Sequence, residues 1–215
     1  MTPKFAVAVD PIFLYVLDLL DRITQNEPIA AEEARERIEN CFRQADALLS
    51  EKHHREGWEL AKYALTAWID DVLIEAPWQG RNWWEDNSLE FAFFKTRDRA
   101  TEFFKRAKQA GQLTRRDALE VCYVCVILGF RGLFALPEST FLADQLDLPP
   151  DVESWARRVA KSIELGQGRP LIQAAPQPGG GAPPLEGRFM LVGASLAAVV
   201  LCLCMALVGY YVFFV

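Results

Sequence analysis

Clusters of positive charge are missing from this sequence of 215 residues. Its 23 lysines and arginines are outnumbered by 29 aspartates and glutamates, which gives a formal net charge of −6, and no cationic stripe stands out. Phosphate backbones are bound by clustered cations, so nucleic acid is an unsuitable partner. The acidic balance favours protein partners with basic surfaces instead.

Cysteine and histidine are scarce. Two of the five cysteines lie in a terminal apolar segment, and the other three form no disulfide framework, which indicates a reducing compartment. Cys122 and Cys125 form a C-x-x-C pair, but further ligands at a zinc-like spacing are missing, so packing is favoured. His53 and His54 are predicted to lie at a solvated helix end and to point about 100° apart. We expect no metal and no cofactor.

Several recognisable segments are also missing. No G-x-S-x-G, H-E-x-x-H, phosphate-binding or dinucleotide-binding glycine pattern occurs, which argues against the enzymes that use them. Asp10 and Pro11 interrupt the first apolar run, so no signal peptide is predicted at the start.

Charge is absent from the last 27 residues, 189–215. A helix of that length would be about 40 Å long, more than the roughly 30 Å hydrocarbon core of a bilayer requires. We therefore predict a C-terminal transmembrane anchor over 188–215, with a core helix as the alternative. Gly193 and Ala197 form a small-xxx-small pair and are a candidate face for a homodimer within the lipid bilayer.

Glycine and proline dominate residues 166–187, which predicts a flexible linker with a reach of about 25 Å. The predicted organisation is a helical domain over 1–165, this linker and the anchor. Arg188 and the basic residues upstream favour a cytoplasmic location for the N-terminal domain by the positive-inside rule.

Apolar residues recur at helical spacing through most of 1–165. Helices are predicted to begin at Pro11, with Asp10 as cap, and after Pro28, and to cover 56–75, 88–95, 98–110 and 151–165. A further helix is predicted after a capping box of Thr114 and Asp117. It is apolar all round and too short to span a membrane, so we expect it at the centre of a bundle. Its β-branched residues leave a buried strand as the alternative.

Acidic residues lie at the end of the helix over 56–75. Asp71 and Glu75 are four residues apart and share a face, with Asp70 beside them. Carboxylates at a helix C-terminus oppose the macrodipole, so either Arg81 or a basic partner must offset them. A structural or docking role is favoured, and an acid–base pair for catalysis is the alternative.

Three of the six tryptophans lie in the loop that follows, 76–84. Tryptophan and arginine are typical of interface hot spots, although aromatic rings also fill grooves between helices. We expect Trp78 to pack inward and Trp83 or Trp84 to face a partner. The predicted protein-interaction residues are Asp70, Asp71, Glu75, Arg81, Trp83 and Trp84.

This stretch resembles a known family. The segment AWIDDVLIEAPWQGRNWWEDNSLEFAFF is similar to the part of DotU/IcmH-like proteins, the TssL component of type VI secretion, in which an acidic helix runs into PW and then a W…SLL…F stretch. DALEVCYVCVILGFRGLF and DPIFLYVLDLLDRI resemble two further helices of the family. The three blocks keep the family's order and spacing over most of 7–134, and the terminal anchor completes the pattern.

The resemblance implies an all-α cytoplasmic bundle of seven or eight helices, built as two three-helix subbundles and followed by one transmembrane helix. It implies a non-enzymatic scaffold at the bacterial inner membrane, beside a large TssM/IcmF-type membrane protein and baseplate components. The equivalent component of a type IVb (Dot/Icm-like) system is one alternative. A membrane-tethered hydrolase that uses Asp71 and Glu75 is the other.

Single family positions can be matched to this chain. Asp70 and Asp71 fall on the family's acidic pair. Its PW and GFxG motifs imply structural roles for Pro77, Trp78, Gly129, Phe130 and Gly132. Leu133 and Phe134 depart from the family, which commonly has arginine and tyrosine there.

Overall fold

A computed structural model describes residues 1–166 of the chain, and those residues form helices without any strand. The helices are α1 (Pro3–Thr24), α2 (Ala31–Leu48), α3 (Lys52–Glu75), α4 (Arg81–Asp86), α5 (Leu89–Phe94), α6 (Arg99–Ala110), α7 (Asp117–Ile127), a 3₁₀ helix (Gly132–Ala135), α8 (Ser139–Gln145) and α9 (Val152–Gly166). The all-α prediction is confirmed. The number of helices exceeds the expected seven or eight because three of them have only six or seven residues.

Helix α3 lies at the centre of the packing of the long helices. Thirteen of its 24 residues are buried, so it is covered on more than one side. It packs against α6 and α7, and α9 packs on α7. On the other side, the Trp68 ring lies 5.1 Å from Phe13 of α1, and the Trp58 ring lies 6.3 Å from Phe42 of α2. The long helices therefore form two groups, α1–α2 and α6–α7–α9, joined through α3.

Helix α1 begins eight residues earlier than predicted, at Pro3, and Pro11 lies inside it. The apolar face of α1 already starts at Phe5 and continues through Val9, so burial favours helix before Pro11. Proline removes one backbone N–H, which leaves the carbonyl of Val7 without its helical donor. Because Val7 and Pro11 are both exposed, water can satisfy that carbonyl.

Helix α7 is buried against its neighbours, as expected for the centre of a bundle, and the strand alternative is wrong. The predicted capping box is not formed, since the helix begins without a side-chain cap. Asp117 instead accepts hydrogen bonds from the backbone N of Thr2 at 2.5 Å and from its hydroxyl at 3.1 Å. These bonds hold the start of α1 against the start of α7.

One described segment, Asp117–Ala135, has the length and mean hydropathy of a membrane span, although a core helix passes the same test. Half of its most apolar window is buried inside the domain. The segment is also divided, because α7 ends at Ile127 and a 3₁₀ helix starts at Gly132. It is a core segment of this fold. The predicted anchor, its pair Gly193 and Ala197, and the linker from residue 167 lie outside the described residues.

Candidate protein-interaction site

Asp70 is fully buried at the junction of α3, α4 and α5. Its carboxylate accepts hydrogen bonds from the Trp84 indole N–H at 2.9 Å, from the backbone N of Leu89 at 2.9 Å and from the backbone N of Glu90 at 2.8 Å. Burial is the main cause that raises the pKa of Asp70, and the three donors oppose it. Asp70 was expected on the interaction surface. This is corrected: it binds the first N–H groups of α5 and fixes α4 against α3.

Trp84 was also expected on the interaction surface, and this is wrong because its side chain has no exposed area. The segment predicted as a loop contains helix α4, and this helix turns Trp84 inward onto Asp70. The Arg35 guanidinium of α2 lies 5.7 Å from the centre of the Trp84 ring. Trp84 therefore joins α2, α3 and α4 and cannot serve as an exposed docking residue.

Trp78 is half-buried, and its indole N–H donates to the carbonyl of Leu73 at 2.8 Å. Its ring lies 6.3 Å from that of Trp84. Gly80, which the sequence interpretation did not single out, makes this packing feasible. A Cβ at Gly80 would lie 2.5 Å from the Trp78 ring and 2.9 Å from the Cβ of Ala31, so a larger residue would force the turn apart.

Asp71, Glu75, Arg81 and Trp83 are the predicted interaction residues that keep exposed surface, and we call them the α3–α4 surface. Asp71 is paired with Arg99 of α6, whose Nε lies 3.5 Å from its carboxylate. Arg99, and not Arg81, therefore offsets the charge of Asp71 at the end of α3. Glu75 and Arg81 are exposed and make no ion pair within the described residues.

An open cavity of about 480 Å³ lies beside the α3–α4 surface. It is lined by the α1–α2 connection, including Pro28 and Ile29, and by Pro77, Trp78 and Arg81. Pro77 itself is exposed just after α3 ends. The lining of the cavity is mixed, because apolar side chains such as Trp78 lie beside the charged Glu27 and Arg81, and its concave shape suits a partner's side chains.

Glu90 is a buried carboxylate that the sequence interpretation missed. One of its oxygens accepts from the Tyr63 hydroxyl at 2.7 Å, from the Thr96 hydroxyl at 2.9 Å and from the backbone N of Asp98 at 2.9 Å. The Arg106 guanidinium stacks 4.0 Å from the centre of the Tyr63 ring. Burial and the neighbouring carboxylate raise the pKa of Tyr63 far above its usual value, so it remains a donor. The sequence feature that could have indicated this buried carboxylate is a single charged residue inside the apolar run LEFAFF.

The C-x-x-C pair lies in the core. Cys122 and Cys125 are both buried free thiols. Burial raises the pKa of Cys122 to about 12 and that of Cys125 well above its usual value. Both side chains are therefore protonated at neutral pH, and a thiol in that state is a poor metal ligand and nucleophile.

Glu51, His53 and His54 bring metal-type ligand atoms within 4.8 Å of one another. The two histidine rings are 4.1 Å apart, closer than their sequence positions suggested, and His54 is buried where a solvated residue was expected. However, the Arg115 guanidinium lies 3.2 Å from Nδ1 of His54, and arginine can only donate. Lys4 also binds Glu51 at 2.5 Å. Two cations beside the cluster oppose a metal ion, so we assign no metal site.

Comparison with known proteins identifies the family of this chain. The family model described as Type VI secretion system protein DotU matches residues 4–214. This chain belongs to the DotU family. The resemblance found in the sequence is thereby confirmed.

The fold of this DotU-family chain is similar to a solved structure described as the cytoplasmic domain of TssL from Acinetobacter baumannii. The TM-score is 0.57 at 19% sequence identity, and the match covers 77% of this chain and 99% of that one. At this identity the likeness establishes the fold alone. A search of curated proteins found no match.

The GFxG motif of the DotU family lies at the turn after α7. Gly129 and Gly132 have positive φ angles of 113° and 49°. A Cβ at Gly132 would lie 2.8 Å from the Phe130 ring and 3.0 Å from the carbonyl oxygen of Ala100. Phe130 is fully buried, and its ring lies 4.1 Å from that of Phe103. The glycines thus let the chain reverse closely enough to insert Phe130 between α6 and α7.

The two departures from the family pattern follow this turn directly. Leu133 is fully buried, so an apolar residue suits its position better than a charge would. Phe134 packs edge-on against Phe104 at 5.1 Å. Both residues extend the aromatic and aliphatic core around α6 in this chain.

Proposed function

We propose that this DotU-family chain is a non-catalytic scaffold of a type VI secretion membrane complex. Residues 188–215 hold it in the bacterial inner membrane, with the helical domain on the cytoplasmic side. The observation that carries the proposal is the family match, which runs from residue 4 to residue 214 and so includes both the domain and the uncharged run. The similarity in fold to a cytoplasmic domain of TssL supports the assigned side.

Anchoring is tested by deleting residues 189–215. The full chain should remain in the membrane pellet after a carbonate wash, whereas the shortened chain should be soluble and keep its helical circular dichroism. The helical core over 1–166 is patterned separately from the uncharged run, which is the reason to expect folding. A shortened chain that stays in washed membranes, or that aggregates without helical signal, would contradict the proposal.

The α3–α4 surface is the proposed docking site for a large TssM/IcmF-type membrane protein or for baseplate components. Its support is that the surface combines an exposed anion, Glu75, and an exposed cation, Arg81, with the half-exposed ring of Trp83. Charged rims set partner orientation, and a tryptophan supplies the apolar contact that charge alone does not give.

Docking is tested with Glu75→Lys and Arg81→Glu in a two-hybrid assay against the TssM/IcmF-type partner and each baseplate component. Binding to one of them should fall at least tenfold without a change in melting temperature, because neither side chain contributes to the core. Glu153→Lys, the same kind of change at an exposed glutamate of α9, is the matched control. Normal binding by both variants would place the docking site elsewhere.

Self-association within the membrane is proposed for the pair Gly193 and Ala197. Small residues four apart let two helix backbones approach closely. Replacing both with isoleucine should weaken self-association in a membrane two-hybrid assay, and unchanged association would exclude this face.

The observed contacts do not favour the hydrolase alternative. The carboxylate of Asp71 is already engaged by the Arg99 guanidinium at 3.5 Å, and Glu75 is exposed at the surface, so the two residues do not form an enclosed acid–base pair. The purified protein should show no turnover of model ester, peptide or glycoside substrates. Activity that Asp71→Asn abolishes would reverse this assignment.

A further inference from the structure

The outward side of α1 carries apolar side chains that the fold leaves uncovered. Val7, Leu14 and Leu17 are 63%, 66% and 39% exposed. Single exposed apolar residues are normal, but spacings of seven and three place these on one side of a helix, opposite the buried stripe. Pro11 is also exposed and lies one turn from Val7 and from Leu14. The stripe is therefore continuous over about three turns, roughly 16 Å.

Acidic side chains border this stripe. Asp10 is exposed and makes no ion pair within residues 1–166. Asp18 is exposed as well, and the nearby Arg22, which also interacts with Asp18 electrostatically, makes its hydrogen-bonded ion pair with Glu27 at 2.7 Å. The charge that remains available beside the stripe is negative. We call the whole region the α1 outer face, formed by Val7, Asp10, Pro11, Leu14, Leu17 and Asp18.

Pro11 adds a further feature to the α1 outer face. Because proline has no N–H, the carbonyl of Val7 lacks its helical hydrogen bond. The face therefore offers a backbone acceptor together with two carboxylates. A complementary surface would bring donors and positive charge beside apolar side chains.

We propose that the α1 outer face is a docking site for a basic amphipathic helix of a partner protein. Leucine-like side chains of that helix would cover Leu14 and Leu17, and its lysines or arginines would pair with Asp10 and Asp18. A second copy of this chain would bring like charges together, and an anionic bilayer surface would be repelled by the same aspartates. Charge complementarity thus selects the basic helix among the three occupants.

The test uses the full chain in nanodiscs of zwitterionic lipid and a fluorescent 18-residue leucine/lysine amphipathic peptide, with a leucine/glutamate peptide of the same pattern as the comparison. Anisotropy should show binding of the lysine peptide and none of the glutamate peptide, after subtraction of empty nanodiscs. Leu14→Ser should weaken binding at least tenfold, and Asp10→Asn with Asp18→Asn at least fivefold. Phe141→Ser, an exposed apolar residue on α8, should leave binding unchanged.

Two outcomes would overturn the proposal. Equal weakening by Leu14→Ser and Phe141→Ser would show that the peptide senses exposed apolar surface in general. Unchanged binding in all variants would show that it binds elsewhere. A photo-crosslinker at position 14 in cells gives an independent readout: crosslinks to a basic helical segment of another protein support the proposal, whereas crosslinks only to lipid or to a second copy of this chain refute it.

Discussion

The junction of α3 with α4 and α5 is held by buried carboxylates, whereas the junction of α6, α7 and α9 is held by aromatic rings. At the first junction, Asp70 and Glu90 each accept three hydrogen bonds. At the second, the Trp155 ring lies 5.4 Å from Phe104 and 6.4 Å from Phe103. The junction that bears the α3–α4 surface therefore depends on hydrogen-bond geometry and protonation, whereas the aromatic junction depends on the volume that its rings fill.

The largest effect is expected from Phe130→Ala at the aromatic junction. Loss of a fully buried ring should lower the free energy of unfolding by about 3–5 kcal/mol, measured by denaturant titration of the purified protein. Phe141→Ala on α8, where the ring is exposed, should change it by less than about 0.5 kcal/mol. A loss below about 1 kcal/mol for Phe130→Ala would mean that the aromatic junction is not tightly packed.

Asp70→Ala is the corresponding change at the carboxylate junction. Three buried donors would lose their acceptor, so the expected cost is about 3–4 kcal/mol. Asp70→Asn should cost less, because its amide oxygen can still accept from Trp84 and Leu89.

Asp71→Asn is the matched control for these changes. Its carboxylate is only loosely paired with Arg99, and its loss should cost less than about 1 kcal/mol. Equal costs at positions 70 and 71 would remove the distinction between a structural aspartate and a surface aspartate.

Gly80→Ala probes the close packing under α4 and should cost about 1–3 kcal/mol, because its Cβ would meet the Trp78 ring. Gly57→Ala is the opposite case. Gly57 lies inside α3, and its nearest side-chain neighbour would be an ordinary 3.8 Å away, so helix propensity should stabilise the domain by up to about 1 kcal/mol. Melting temperatures of the two variants that move in the same direction would contradict these two predictions.

The smallest expected effect is a pH dependence of the free energy of unfolding, which should be present at the carboxylate junction and absent at the aromatic one. Because burial raises the pKa of Asp70, the folded chain holds the proton of the Asp70 carboxyl group more tightly than the unfolded chain does. Its contribution to stability is then complete below the unfolded pKa of about 3.9 and is lost as pH rises through the folded value, by less than about 1.4 kcal/mol per pH unit.

Comparison with Asp70→Asn isolates the pH-dependent contribution of Asp70 to the free energy of unfolding. The stability of the wild-type chain relative to Asp70→Asn should rise as pH falls in that window, whereas the cost of Phe130→Ala should be independent of pH. A difference that shrinks on acidification would show that Asp70 is ionised in the fold at low pH.

Much of the helical architecture follows from the sequence alone. The 3.6-residue apolar period identified the long helices, and the family blocks predicted the fold that the comparisons confirm. Helix boundaries were less certain, as the early start of α1 and the unpredicted helix α4 show. Burial of Phe5 outweighed the signal of Pro11 in the first case.

What the sequence could not decide is which of two similar neighbours is buried. Asp70 and Asp71 are adjacent carboxylates, and Trp83 and Trp84 are adjacent rings, yet one of each pair lies in the core. The donors that allow Asp70 to be buried come from 14 to 20 residues further along the chain. A local pattern records periodicity, but a buried charge is tolerated only where distant segments supply its hydrogen bonds, and that placement exists only in the folded chain.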